Sequence, residues 1–477
     1  MAEPRPISNH ICLNGRTLEG GGQLVRIAVG LSALTGRPVS VDHVRGNRQG
    51  KKGLKRSHTA AVKLLAEISG SKIFGGEIGS QFLKFSPQTA RSSIGPLVDL
   101  SHVTVQPEYN INLTTAGAIF LVFQALYPYL LYVGSQAATP FIRVKITGGT
   151  NASHSPSYDY ASQVMVPNFA KLGLPELSVT LHKRGWSSGP VDLGAVTFLI
   201  HPLRAQDSLH DRSHNEISPG IHQYGFPKID LRSYKRGKIT QIDITVLAPD
   251  QPTISAGNLG NPENNLREYI EKATKKALRR AMRKLDASIF PTTQTSLPNE
   301  DLLNNDSGQE TPVSVKIHTS EATYHRSHMY ILLVAHTSSG FRIGHDALGS
   351  LGPSHIKRQK TNGRQKQRPA NKERNISEND IVYSGATELV ERCVEGFIDE
   401  ISNRSPDANV QHKIRPEKTC LDQYMRDQIV VFEALGEACY ASGRSEAPDT
   451  TPREDEQDWT LHTKTAKWVC RQVLGEV

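Results

Sequence analysis

The chain has 477 residues, 37% of them hydrophobic and 6% aromatic, and it carries a formal net charge of +9 at pH 7. This length allows more than one domain, and the lean hydrophobic content indicates globular units diluted by polar insertions, which excludes a largely apolar membrane protein. The basic balance favours a polyanionic partner such as nucleic acid; a solvated basic surface without a ligand is the open alternative.

The cysteines and the N-terminus give further information on the kind of protein and its compartment. None of the five cysteines stands in a C-x-x-C pair, which argues against a zinc site or a thioredoxin-type motif. Their odd number and wide spacing are typical of reduced thiols in the cytosol or nucleus. The stretch MAEPRPISNH has no apolar segment, so we expect no secretory signal.

The first predicted helix covers residues 23–35 and follows the glycine-rich stretch LEGGGQLVR. Such glycines let the backbone approach an anion at the positive end of a helix, although a tight turn into a helix is more often the explanation of such a stretch. Glu19 and Arg26 place a carboxylate and a cation beside the turn. A carboxylate beside bound phosphate is expected where a divalent cation lies between them.

A basic loop and a second helix follow a predicted strand at residues 37–44. Six of the twelve residues from Arg45 to Arg56 are Lys or Arg, and three others are glycines. Such a loop can hold phosphate groups through charge-assisted hydrogen bonds, and we favour this over a merely solvated loop. Ser57 is the predicted N-cap of the helix that follows.

Residues 116–133 form an apolar run about as long as a membrane span. Because the run contains Gln124 and Pro128, we expect a buried helix broken near Pro128 and no membrane partner. Alternating patterns predict strands at residues 141–147 and 177–183.

The sequence pattern changes between residues 203 and 320, where predicted strands flank a long charged predicted helix at residues 262–285. We predict a small inserted β-α-β-β module at 203–320, between core regions at 1–202 and 321–477. Two polar stretches, at 355–375 and 442–457, have compositions typical of disordered insertions. The first is basic, so it could be a nuclear localisation signal, an RNA contact or a solvated loop.

Two helices are predicted near the C-terminus, at residues 421–439 and 465–474. Tyr424, Asp427 and Gln428 share one face of the first, where they could bind a base and ribose; an exposed polar face would look the same. His462 stands between a β-like run and the second helix.

Several segments, taken in order, resemble RNA 3′-terminal phosphate cyclases of eukaryotic, including fungal, type. They are LEGGGQLVRIAVGLSALTGRPVSVDHVR, GLKRSHTAAVKLLAEISG, TTAGAIFLVFQALYP, ITGGTNASHSPSYDY, QYMRDQIVVFEAL and LHTKTA. The resemblance implies an α+β fold in which repeated βαβαββ-type units form a large domain that carries a smaller inserted module. It implies ATP-dependent conversion of an RNA 3′-phosphate to a 2′,3′-cyclic phosphate.

The same resemblance assigns roles to individual positions. His462 would be the nucleophile that carries AMP, and Glu19 would lie near a divalent cation, Mg²⁺ or Mn²⁺. Arg45, Arg48 and His58 would line a phosphate site, to which the glycine-turn argument adds Arg26. The positions that would bind ATP are Gln124, Pro156, Tyr424, Asp427 and Gln428.

Two departures from the family pattern stand out: Ser57 replaces a glutamine before the histidine, and residues 186–194 (WSSGPVDLG) replace a lysine followed by three glycines. The rival hypothesis is a non-catalytic cyclase-like factor of ribosome biogenesis; an enolpyruvyl transferase shares only the architecture. We expect an RNA with a 3′-phosphate end as partner and a nuclear, nucleoplasmic location, with the cytoplasm as a further possibility. The oligomeric state is left open.

Overall fold

The computed structural model describes residues 10–89, 92, 95–101, 103–204, 225–250, 265–291, 313–349, 378–402, 419–441 and 459–475. Within these ranges the chain combines helices with three four-stranded mixed sheets. The predicted α+β class is therefore confirmed. The two insertions predicted at 355–375 and 442–457 lie outside the described residues.

The first unit runs from β1 to β4. Its elements are β1 (Ile11–Asn14), α1 (Gly22–Thr35), β2 (Val39–Asp42), α2 (Arg56–Ile68), β3 (Lys72–Phe74) and β4 (Leu83–Ser86). The strand order is β1-β2-β4-β3. Strands β1 and β2 are parallel, whereas β4 is antiparallel to both of its neighbours.

The second unit repeats this arrangement. Its elements are β5 (Glu108–Asn112), α3 (Ile119–Val133), β6 (Ile142–Gly148), a continuous helical segment, β7 (Leu177–Lys183) and β8 (Gly194–Ile200). The helical segment comprises α4 (Tyr158–Tyr160), a π-helical turn (Ala161–Met165) and α5 (Val166–Lys171). The order β5-β6-β8-β7 has the same parallel and antiparallel pairs as the first sheet, as predicted for a repeated βαβαββ unit.

Helix α3 corrects one prediction. It continues through Pro128 to Val133 instead of breaking there. Proline removes one backbone donor, but nearly every residue of the helix is buried in the main hydrophobic core, and this packing holds the helix together. The window Ile119–Gln136 is long and apolar enough to cross a membrane, yet 78% of it is buried inside the protein, as in the core helix of a globular fold.

The third sheet belongs to a smaller module with its own core. It contains β9 (Ile239–Pro249), β10 (Ser314–Thr323), β11 (Tyr330–Thr337) and β12 (Arg342–Leu348), in the order β10-β9-β11-β12. Helices α6 (Leu266–Met282) and α7 (Glu378–Ile401) cover one face of it and complete a second hydrophobic core. The predicted boundaries at 202 and 320 stay predictions; β11 and β12, which they leave outside the module, pair within its sheet.

The last two helices return to the main core. Helix α8 (Gln423–Ala441) and helix α9 (Leu461–Leu474) pack against each other, and α9 also packs on α1. Helix α9 begins four residues before the predicted position 465, because the Thr460 side chain caps it by accepting a hydrogen bond from the backbone N–H of Thr463 at 3.0 Å. His462 therefore lies in the first helical turn, not on a strand-like run before it.

Asp422 joins the smaller module to the main core. Its carboxylate accepts hydrogen bonds from Tyr160 Oη at 2.6 Å, from the Gly344 N–H at 2.8 Å and from the Met425 N–H at 2.8 Å. One buried side chain thus caps α8 and binds β12 of the smaller module. These contacts determine where the module stands relative to the helix that carries Tyr424 and Asp427.

Candidate active site

A cleft of about 620 Å³ lies between the main core and the smaller module. The glycine turn, α3, α8 and α9 contribute residues from one side, and β11, β12 and α7 contribute residues from the other. The predicted site residues that line it are Glu19, Arg26, Arg48, Gln124, Pro156, Tyr424, Asp427, Gln428 and His462. Side chains from distant parts of the sequence therefore converge on one cavity.

Glu19 contacts His462 directly. Its carboxylate pairs with His462 Nδ1 and with the Arg48 guanidinium, and its backbone N–H donates to Thr465 Oγ1 at 3.2 Å. Burial opposes ionisation of Glu19, but the hydrogen bond and charge of His462, together with Arg48, lower its pKa below the usual value. Nδ1 of His462 faces this carboxylate, so Nε2 is the ring nitrogen that has no hydrogen-bond partner among the described residues.

The first turn of α9 is tied to α8. Thr463 Oγ1 donates a hydrogen bond to the Asp427 carboxylate, and burial raises the pKa of Asp427. The neighbouring Tyr424 is 41% exposed, with its ring centroid 6.1 Å from that of Tyr160 and 5.9 Å from that of His345. A tyrosine face open to the cleft can stack on a planar ring, and the carboxylate beside it can accept hydrogen bonds from hydroxyl groups.

A buried arginine forms the floor of the cleft. Arg26, on the second turn of α1, donates from Nε to Gln124 Oε1 at 3.0 Å. Burial lowers its pKa to about 10, so the guanidinium is still charged at neutral pH. Among the described residues no carboxylate forms an ion pair with Arg26, which leaves it able to bind an anion at the N-terminus of α1.

His58 packs against the glycine turn. A Cβ added to Gly22 would come within 2.2 Å of His58 Nε2, so only glycine permits this approach. Burial, and after it the charges of Arg26, Arg45 and Lys55, lower the pKa of His58 to about 3, so the ring is neutral. His58 and Arg45 stand behind the cleft, and they are not among the residues that line it.

Arg45 has a left-handed backbone conformation, with φ of 59°. Its guanidinium donates to the Lys51 carbonyl at 2.6 Å and so closes the basic loop on itself. Burial lowers the pKa of Arg45, and the charge of Arg48 lowers it further. The positive groups of this loop therefore stand close together, an arrangement that a bound phosphate would relieve.

The donor set suits a divalent cation only in part. Within the described ranges there is no group of three or more His, Cys, Asp or Glu side chains able to hold a metal ion. Mg²⁺ commonly takes one or two carboxylates and completes its shell with substrate phosphates and water. Glu19 supplies such a single carboxylate at the edge of the cleft, so the residues present fit a cation that phosphates help to hold.

Sequence reasoning missed the contribution of the smaller module. Tyr330, His345, Asp346, Leu348 and Arg392 all line the cleft. Nothing in the strand pattern of β11 and β12 distinguishes these positions from other sheet residues. A second group, residues 151–155, was within reach of the sequence, because the quoted stretch ITGGTNASHSPSYDY contains it.

The unusual stretch at residues 186–194 packs against the smaller module. The Trp186 ring stacks on His328 with centroids 4.7 Å apart and planes 3° apart, and His328 Nε2 is 3.0 Å from the Ser188 carbonyl oxygen. These contacts show a structural role for the departure from the family pattern, outside the cleft lining. Ser57 likewise lies outside the lining. It stands in the first turn of α2, whose N-cap is Lys55, so the prediction of Ser57 as the N-cap is wrong.

Asp346 should make the stability of the protein depend on pH. It accepts a hydrogen bond from Tyr330 Oη at 2.9 Å, and burial, aided by the charges of Asp159 and Asp422, raises its pKa to about 6. The unfolded value is near 4, so the folded state binds the proton more tightly. Its contribution to stability is therefore full below about pH 4 and is lost as the pH rises through about 6.

We therefore expect Asp346→Asn, which keeps the shape but stays neutral, to match the wild type near pH 4. At pH 7.5 the variant should be more stable by about 1–3 kcal/mol. Urea unfolding at both pH values measures the difference. Asp192→Asn is the control, because Asp192 pairs with Lys183 on the surface. An equal stability difference at both pH values would contradict the burial argument.

The sequence pattern of one protein family, RNA 3′-terminal phosphate cyclase, matches residues 17–477. Among curated proteins, the RNA 3′-terminal phosphate cyclase of Koribacter versatilis is 32% identical over 209 residues, 44% of this chain and 52% of that protein. That of Salmonella enteritidis is 34% identical over 192 residues, 40% of this chain and 50% of that protein. The chain thus spans about half the length of the curated relatives it matches. Since the family pattern covers nearly all of the sequence, the chain belongs to the RNA 3′-terminal phosphate cyclase family.

Proposed function

We propose that the chain catalyses ATP-dependent conversion of an RNA 3′-terminal phosphate to a 2′,3′-cyclic phosphate, through a histidine–AMP intermediate and an RNA–AMP anhydride. The family supports the overall reaction. The observation that carries the finer proposal is the pairing of His462 Nδ1 with Glu19 inside a cleft lined by cations, three glutamines and an exposed tyrosine.

His462 is suited to attack a phosphorus atom. Nδ1 pairs with Glu19, which leaves Nε2 as the ring nitrogen that can attack, and the side chain is 35% exposed at the cleft. Its position in the first turn of α9 also matters, because the positive end of a helix disfavours the protonated imidazole and stabilises phosphate charge.

The reaction proceeds in three displacements. Nε2 of His462 attacks the α-phosphorus of ATP, a P–N bond forms, and pyrophosphate leaves. An oxygen of the RNA 3′-phosphate then attacks that phosphorus and releases the imidazole, which gives an RNA–AMP anhydride. Finally the adjacent 2′-hydroxyl loses its proton, attacks the RNA phosphorus and expels AMP. The net reaction consumes one ATP and yields AMP and pyrophosphate.

The other residues in and behind the cleft would each bind, or support the binding of, a different part of the ATP and RNA substrates. Tyr424 and Pro156 would hold the adenine faces, and Asp427 would accept hydrogen bonds from the ribose. Arg26 and Arg48 would bind phosphate oxygens, with Arg45 and His58 supporting the loop and turn behind them. A divalent cation held by Glu19 and the phosphates would neutralise charge on the triphosphate.

The proposal is tested by incubating the purified chain with ATP labelled at the α-phosphorus and a divalent cation. We expect label on the protein that acid releases and alkali does not, as for a phosphoramidate, followed by cyclic ends on a 3′-phosphorylated RNA. ATP labelled at the γ-phosphorus should leave the protein unlabelled. Absence of both label and cyclic ends would favour the non-catalytic cyclase-like factor of ribosome biogenesis.

We also propose a nuclear location, with a cytoplasmic fraction, on the basis of the Lys- and Arg-rich sequence at residues 355–375. Imaging of the tagged full chain, with and without neutral substitutions in that sequence, tests this. Retention of nuclear signal after the substitutions would assign import to another segment.

A further inference from the structure

The C-terminal half of α6 and the turn that follows it carry a row of cations outside the cleft. Residues 272–285, KATKKALRRAMRKL, include seven Lys or Arg and no Asp or Glu. Six of them follow the helical repeat on one side, and we call them the α6 basic face: Lys275, Lys276, Arg279, Arg280, Arg283 and Lys284. The opposite side of the helix, at positions such as Ile270 and Leu278, is buried in the module core.

The cations of this face have no partners in the described part of the chain. At the other end of the same helix, Arg267 pairs with Asp250 at 2.8 Å and with Glu271 at 3.5 Å. For the α6 basic face, no ion pair or side-chain hydrogen bond exists among the residues that the structure describes, and the Arg279 Nε atom is buried without an acceptor. Like charges held this close repel one another, so a polyanion would stabilise the surface.

Simpler explanations account for only part of this arrangement. The helix dipole favours cations in the last turn, where Arg279 and Arg280 stand, but not Lys275 and Lys276 one turn earlier. A membrane surface would require an apolar face to insert, and that face of α6 is already covered by the module core. The adjacent helix α7 exposes Glu391 and Glu395, so the positive surface is confined to the α6 side.

Helix α6 is positioned to contact the upstream part of an RNA whose 3′ end lies in the cleft. Helices α6 and α7 cover the same sheet face, with α7 and β12 contributing to the cleft lining and α6 over β9 and β10. From Lys275 to Arg283, the C-cap of α6, the face extends about 12 Å at the helical rise per residue, and Lys284 follows in the turn after the helix. This length matches about four phosphates in a stacked strand.

We propose that the α6 basic face is a second RNA-binding surface, which contacts the phosphate backbone upstream of the 3′ end. This inference rests on the proposed function for the placement of the 3′ end. The proposal predicts a substrate preference: longer RNAs bind more tightly than short ones. The contacts are to phosphates, so they discriminate by length and not by base sequence.

The test neutralises four exposed cations together, with Lys276→Gln, Arg280→Gln, Arg283→Gln and Lys284→Gln in the full chain. A control variant neutralises four exposed lysines of the main core: Lys63, Lys72, Lys84 and Lys145. Both variants remove four positive charges, so long-range attraction of RNA falls equally in the two. Only the position of the removed charge differs.

For cyclisation of a 20-nucleotide 3′-phosphorylated RNA we expect the α6 variant to raise KM about tenfold. The KM for a trinucleotide and the rate of AMP transfer to the protein should stay close to the wild-type values, and the control variant should show only the smaller rise in KM for the 20-nucleotide RNA that the change in net charge causes. The slope of log affinity against log salt for the 20-nucleotide RNA should fall by about 2–3, near 0.7 for each phosphate that the variant no longer neutralises.

Binding of a 3′-hydroxyl RNA, followed by fluorescence anisotropy, separates this proposal from the catalytic one. If the chain never forms cyclic ends but binds this RNA through α6, the proposed cyclase activity is refuted and the proposed RNA-binding surface is supported. Two results would refute RNA binding by the α6 basic face. One is an equal KM of the wild type for long and short RNAs, and the other is the same decrease in RNA affinity in both variants. Should the α6 variant misfold, RNA protection of Lys276 and Lys284 from acetylation in the wild type decides the question, and absence of protection refutes it.

Discussion

His462→Ala should lose AMP transfer from ATP and formation of cyclic RNA ends, each by at least about 10³-fold. The variant removes the only atom that we assign as nucleophile, and the remaining cleft cannot form the P–N bond. The fold should survive, because His462 is partly exposed at the start of α9, where alanine is well tolerated in a helix. Labelling with ATP at the α-phosphorus and end analysis of a 3′-phosphorylated RNA measure both losses.

Two further variants sharpen this prediction. His462→Asn keeps a hydrogen-bonding side chain but has no nucleophilic nitrogen, so it should fail equally. His318→Ala is the matched control, because His318 is exposed on β10 of the smaller module. Supplying RNA already joined to AMP should restore part of the cyclisation in both His462 variants. If His462→Ala still takes up AMP, another residue is the nucleophile.

Glu19→Gln should slow AMP transfer by about 10- to 100-fold and raise the divalent cation concentration needed for half-maximal rate. The glutamine keeps the size of the side chain but removes the charge that pairs with His462 and Arg48. Without that charge the imidazole is held less firmly through Nδ1, and the phosphate charge is less well balanced by a cation. Single-turnover labelling across a metal titration measures both effects.

Asp42→Asn provides the control for Glu19, since it removes an exposed carboxylate at the end of β2 without touching the cleft. Superimposable metal titrations for Glu19→Gln and the wild type would rule out the metal-binding role. A lower rate with an unchanged metal requirement would instead assign Glu19 solely to the orientation of His462.

The geometry of the cleft also depends on how the smaller module packs on the main core, and the residues named by the family resemblance do not include this contact. Asp422 caps α8 and binds β12 with one carboxylate, and burial raises its pKa to about 6. The helix that presents Tyr424 and Asp427 is thereby tied to the strand that presents Asp346. Any shift of the module therefore changes both walls of the cleft at once.

Local patterns in the sequence determined most of the elements. The 3.6-residue repeat of apolar side chains located α1, α2 and the buried part of α9, and alternation located β2, β6 and β7, because each pattern follows from which face of an element must be buried. Motifs in chain order identified the family, and a glycine turn beside Glu19 and Arg26 indicated an anion site. The helices, the strands and the glycine turn were inferred from neighbouring residues, whereas the family was inferred from the order of motifs along the whole chain.

Only the tertiary structure decided what those elements bring together. Glu19 and Thr465 are 446 positions apart and joined by a hydrogen bond, and nothing in either stretch encodes that pairing. Burial against the main core carries α3 through Pro128, where local propensity predicts a break. Asp346 and Arg392 line the cleft because the module sheet packs on the core through Asp422 and Tyr330. A sequence pattern specifies which face of an element is buried, whereas the partner of that face depends on how whole sheets and helices stack.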